Sequence, residues 1–173
     1  MVTIDTSTNF DTLDQKLSTY GIHATFLYYH QLKDIESLIP LMPIILLYEH
    51  HYPMGHWVSI FVNSEGLNYF DSTSHTPDFL LGKEIFDNPK GRDATGSDFT
   101  YLNQLLLNAI EALDTKLIYN EHKLQKQGTA TCGPWNVIRL LFGEFTNKQF
   151  HSLFKSIRLG ERDKKVVKLF NAL

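Results

Sequence analysis

Hydrophobic and polar positions alternate along this chain with two periods, about 3.6 and 2, and the switches between them outline the elements. Phe10, Leu13 and Leu17 fall on one helical face, preceded by a capping-box-like start at Thr8 and Asp11 with Asp in place of Glu or Gln, and Gly21 stops that short helix. Pro40 and Pro43 break the approach to residues 44–48, an apolar run that reads as a buried strand. Residues 57–62 and 67–70 follow as strands around Asn63-Ser64-Glu65-Gly66, the composition of a hairpin turn, so a meander of about three strands occupies the first half. Residues 80–98 turn polar around Gly82, Asn88-Pro89, Gly91 and Gly96 and read as a loop. Ser97 or Asp98 is placed to cap an amphipathic helix bearing Leu102, Leu105, Leu106, Ala109, Ile110 and Leu113, and residues 116–120 form a further candidate strand. Pro134 then stands in the first turn of a helix whose buried face is Val137, Ile138, Leu140 and Leu141. Two shorter helical stretches, 147–157 and 161–172, are divided by Gly160.

Composition adds bounds to this outline. The 173 residues suit a single domain, residues 1–173, and the 43% hydrophobic and 13% aromatic content is that of a packed globular protein. A net charge of −3 and a pI near 6.2 supply no global attraction to nucleic acid or to an anionic membrane surface. The late basic residues Arg158, Arg162, Lys164, Lys165 and Lys168 are interleaved with Glu161 and Asp163 and read as a solvated helix face. With one cysteine there is no intramolecular disulfide, so a reducing compartment is expected. Residues 1–9 lack the pattern of a signal peptide, and the greasiest stretch, 38–48, is shorter than the roughly 20 apolar residues that span a bilayer.

That cysteine carries the candidate chemistry. A thiol is a strong nucleophile only as the thiolate, and a free one with a pKa of about 8.5 is only a few per cent ionised at neutral pH. Cys132 precedes Gly133-Pro134-Trp135 and a helical pattern, which puts its sulfur near the positive end of a helix dipole. A buried inert cysteine is also a common core residue, so Cys132 alone leaves both readings open. His56 opens a strand and Asp71 ends the next; antiparallel pairing through a short turn brings them to one edge of the sheet, as a base and its orienting carboxylate require. The competing reading makes His56, with His50 and His51, a loop decoration or metal ligand, but neither a cysteine-rich set nor H-E-x-x-H spacing is present. Leu124-Gln125-Lys126-Gln127 lies shortly before Cys132, and a glutamine amide with the nucleophile's backbone N–H is what an oxyanion hole needs. No G-x-S-x-G elbow supports a serine hydrolase, and Gly91 to Gly96 is followed by Ser97-Asp98 where a P-loop requires Lys-Ser/Thr.

In order, Gly55-His56-Trp57-Val58-Ser59-Ile60, Tyr69-Phe70-Asp71-Ser72 and Leu124-Gln125 through Thr131-Cys132-Gly133 resemble the adenain-like cysteine peptidases, the clan that also holds the SUMO-deconjugating Ulp proteases. The compact maturation proteases of virophages, Maverick/Polinton elements and adenoviruses are the most similar. The resemblance covers about residues 21–141 and implies an α+β fold with a central mixed sheet packed by helices. It implies His56 as base, Asp71 as orienting acid, Cys132 as nucleophile and Gln125 as oxyanion donor. Adenain-like members place that glutamine seven residues before the cysteine, which selects Gln125; the Ulp spacing of six would fall on Lys126, and Gln127 is the fallback at five. The acid is Asp, as in Ulp proteases, where adenain has Glu.

The expected activity is thiol endopeptidase cleavage of viral capsid or structural precursors after glycine, inside the virion or host cell. Trp57 would border a narrow substrate groove; its alternative role is an ordinary core aromatic. No cofactor is expected. A DNA or peptide activator of the kind such proteases use would bind non-covalently here, because there is no second cysteine. The alternatives are an isopeptidase acting on a ubiquitin-like tail and a catalytically idle binding module on the same fold.

Overall fold

The computed structural model describes residues 8–51, 54–77 and 101–173. Helix α1, Phe10–Ser18, is capped by Asn9, whose side chain accepts from the Thr12 N–H at 2.9 Å. The start expected at Thr8 and Asp11 is thereby corrected: Asn is at least as good a cap as Thr, and its extended backbone points the amide oxygen at the open first turn. Gly21, at φ +73°, ends the helix as expected, with its N–H on the Ser18 carbonyl.

Strands β1 (Thr25–Tyr28), β2 (Ile44–His51), β3 (Met54–Asn63), β4 (Gly66–Phe70) and β5 (Leu117–Tyr119) form one mixed sheet in sequence order. The β2–β3–β4 meander is antiparallel, while β1 joins β2 and β5 joins β4 in parallel. Strand β1 was not foreseen: four partly buried residues are too few to show a period. The β3–β4 turn is Ser64-Glu65, with Asn63 paired to Gly66. Gly66 stands at φ +138°, and a Cβ there would collide with the Lys116 carbonyl, so this tight turn requires glycine.

Side-chain alternation divides the core between the two faces of the sheet. Ile45, Leu47, Trp57, Phe61 and Phe70 face α1 and the helices α3 (Cys132–Leu141), α4 (Asn147–Ser152) and α5 (Leu159–Ala172). Ile44, Leu46, Tyr48, Val58, Ile60, Leu67 and Tyr69 face α2 (Tyr101–Ala112) and the 3₁₀ turn Tyr29–Asp34. The chain is thus α+β, a five-stranded mixed sheet with helices on both faces. The cap expected at Ser97 or Asp98 and the polar loop expected over 80–98, with its P-loop imitation, lie outside the described residues.

Helix α3 is buried from Cys132 to Leu140, and Pro134 sits in its first turn. It is held between β3, α1 and α5. Gly160 does not separate the last two helices, as the pattern suggested. It lies in the first turn of α5, where a residue's N–H has no intrahelical acceptor to lose, and the break falls between Ser152 and Leu159, with extended Arg158 at the N-cap. Among the described residues no helix is long and apolar enough to cross a membrane.

Candidate functional site

His56 lies near the start of β3, and the hairpin register explains how it meets Asp71. The last ladder pair is Ser59 with Phe70. One step further, Asp71 is level with Val58, and His56, two residues along the same side of the pleat, is its diagonal neighbour. Their side chains close that diagonal with a 2.8 Å bond between His56 Nε2 and Asp71 Oδ1.

The carboxylate is built in from several directions. Asp71 is fully buried, and Oδ1 also accepts from the Thr73 N–H at 2.7 Å and the Thr73 hydroxyl at 2.6 Å. His75 Nδ1 stands 3.6 Å from Oδ2 and 2.8 Å from the Thr73 hydroxyl. Asn120, from just beyond β5, clamps the Asp71 backbone: its amide donates to the Asp71 carbonyl at 2.6 Å and accepts from the Asp71 N–H at 3.0 Å. Burial would raise the Asp71 carboxyl, but the charge and hydrogen bond of His56, with His75 and Thr73, hold it well below the usual carboxylate range. Burial likewise opposes a charged His56. The Asp71 charge and hydrogen bond, with a smaller contribution from the nearby Cys132, overcome it and raise His56 to about 10. With Nε2 committed to Asp71, Nδ1 is the ring nitrogen left for the thiol.

Cys132 opens α3 and is 7% exposed. Its placement relative to β3 is set by Asn136 one helical turn on, whose amide donates to the Cys132 carbonyl and to the Trp57 carbonyl, both at 2.8 Å. Strand β3 and helix α3 are thus cross-linked next to both the histidine and the cysteine. Gly133 is required for close approach, because a Cβ there would run into Thr8 and Leu13.

The two glutamines differ. Gln125 is buried; its carbonyl oxygen accepts from the Ser72 hydroxyl at 2.6 Å, its amide donates to the Thr129 carbonyl at 2.5 Å, and its backbone N–H reaches the Ser72 carbonyl. One of the two amide N–H groups remains for a ligand. Gln127 is exposed. Trp57 is 7% exposed and packs edge-on against Phe10, ring centroids 5.0 Å apart, within the core cluster that includes Cys132.

Sequence reasoning therefore named His56 and Asp71, which the fold joins by a hydrogen bond, and Cys132, which lies near enough to contribute to the rise in the His56 pKa. It missed the supporting groups Ser72, Thr73, His75, Asn120, Asn136 and Asp163. Asn136 carried a signal, being one helical turn after Cys132; Asn120 and Asp163 carried none, since only the tertiary fold brings them near. In the late basic cluster, Lys164 pairs with Glu161 at 2.7 Å and Arg162 donates to the Ile157 and Lys123 carbonyls. The side chains of His50 and His51 lie outside the described set, and among the described residues no group of three His, Cys, Asp or Glu is placed to hold a metal ion. Comparison with protein-family models and with curated proteins finds no significant match.

Proposed function

We propose that this chain is a cysteine endopeptidase with an adenain-like fold, and the observation that carries the reading is the His56 imidazole held 2.8 Å from Asp71, with Cys132 close enough at the start of α3 to add to the rise in its pKa. An imidazole raised to about 10 and paired with Asp71 already holds the proton at neutral pH, so the sulfur acts as a thiolate beside a charged His56. The sulfur of Cys132 then attacks a peptide carbonyl carbon, forming a C–S bond while the carbonyl electrons move to oxygen. The Cys132 backbone N–H at the start of α3 and the spare Gln125 amide hydrogen receive that oxyanion. Collapse of the tetrahedral adduct breaks the C–N bond, and His56 hands its proton to the leaving amine. Water, deprotonated by His56, hydrolyses the thioester and regenerates the thiol. Asp71 keeps the imidazole oriented and offsets its charge throughout.

The substrate class comes from the family resemblance: viral capsid or structural precursors cut after glycine, in a reducing interior where a free thiol persists. Trp57 borders the groove in that reading. Any DNA or peptide activator binds without a covalent link, there being one cysteine. Cys132→Ala in a cleavage assay on such a precursor is expected to abolish turnover, and undiminished cleavage would sink the proposal. A parallel panel of ubiquitin-like tails shows whether isopeptide bonds are cut instead.

A further inference from the structure

Asp163, in the first half of α5, is a fully buried carboxylate that the proposed chemistry does not use. Its two oxygens accept three hydrogen bonds from one short stretch of chain. Oδ2 takes the Lys126 backbone N–H at 2.9 Å; the Thr129 hydroxyl stands 3.4 Å away but gives its hydrogen to the Lys126 carbonyl at 2.7 Å. Oδ1 takes the Thr131 hydroxyl at 2.7 Å and the Trp135 indole N–H at 2.9 Å. Lys126 directly follows Gln125, and Thr131 directly precedes Cys132. Thr129, in contact with Asp163, also supplies the carbonyl that holds the Gln125 amide.

We propose that Asp163 is a positioning residue that sets the spacing between the two oxyanion donors, the Gln125 amide and the Cys132 backbone N–H. This rests on the cysteine-peptidase reading above. The segment between those donors contains Gly128 at φ +79° and is largely exposed, so its own backbone does little to hold their separation. A carboxylate offers about four acceptor directions, and here the donors lie at both ends of the segment, Lys126 on one side and Thr131 with Trp135 on the other. Donors aimed at a developing oxyanion contribute only when aligned to a fraction of an ångström, so an anchor of this kind governs turnover without touching the reacting atoms.

A plain structural anchor would make a different prediction. Alkylation by iodoacetamide forms a C–S bond and expels iodide with no oxyanion, whereas acylation by a peptide requires one. Asp163→Asn keeps one acceptor oxygen and turns an amide donor toward the donors that the other oxygen served. On a peptidyl-glycine aminocoumarin substrate, kcat is expected to fall about 10- to 100-fold with KM nearly unchanged. Alkylation of Cys132 by iodoacetamide in the same variant should stay within about twofold of the parent. Thr131→Val, which deletes one of the three bonds and serves if Asp163→Asn does not fold, should show the same split at smaller size. Adding Asp163→Asn to Gln125→Ala should cost less than about threefold further, because the donor being positioned is already gone. Parallel loss of alkylation and turnover, no loss of either, or full additivity with Gln125→Ala would overturn the inference while leaving the peptidase reading standing. A wild-type chain that does not turn over the peptide defeats that reading, and the inference with it.

Discussion

Burial alone would leave the His56 imidazole neutral, yet Asp71 reverses that preference, and the reversal has a thermodynamic signature. His56 rises from about 6.5 in an unfolded chain to about 10 in the fold. Its contribution to stability is therefore complete below about pH 6.5 and is lost as pH rises toward 10. Asp71 is depressed, so its contribution is present above about pH 4 and is lost as pH falls through its lowered native value. The two shifts describe one ion pair and count once. Thermal melts between pH 6.5 and 10 should show the wild-type Tm dropping more than that of Asp71→Asn, by roughly 2–8 °C for about 1–2 kcal/mol in a chain of this size. Parallel curves would show that the pair contributes nothing in that window. The pair was legible in the sequence because a two-residue turn dictates which residues of a hairpin become diagonal neighbours. Thr73 and His75, just past the strand, were not, because no periodicity governs side chains in a turn where Ser74 sits at φ +59°.

Elements translate these contacts into a fixed site. Helix α3 presents Cys132 and strand β3 presents His56, and the buried Asn136 amide ties the two backbones together. Asn136→Ala removes the amide that bridges the Trp57 and Cys132 carbonyls and should cost about 1–3 kcal/mol. It should also slow Cys132 alkylation in the folded protein, because the sulfur is freed relative to the imidazole. Urea midpoints read the first effect and alkylation rates below the unfolding transition read the second; a stability loss with an unchanged rate would show that α3 is held by packing alone. The helical and strand periods were enough to locate α1, α2, α3 and the meander. They failed at β1, which is too short to display a period, and at Gly160, where a poor helix former is tolerated because the first turn has no intrahelical bond to lose.

At the scale of the whole molecule, the sheet separates two hydrophobic clusters, and only one of them contains Cys132. A loss in the cluster without Cys132 should therefore lower stability more than it disturbs the thiol. Leu106→Ala, in the cluster away from Cys132, should cost about 2–5 kcal/mol yet leave Cys132 alkylation in the folded protein unchanged. Altered alkylation at a temperature where the variant remains folded would mean that the α2-side cluster reaches the thiol through His56 and Asp71, which share the pleat side of Val58. The helix-on-both-faces arrangement itself was not readable from the residues, since patterning shows that a strand is buried but not what covers each face. The most direct measurement is the rate at which iodoacetamide alkylates Cys132 at pH 7, compared between the wild-type chain and His56→Ala. Fast alkylation that slows by about 10-fold or more when the imidazole is removed is the expected result. Equal rates in the two proteins would contradict the assignment of Cys132 and His56 as nucleophile and base.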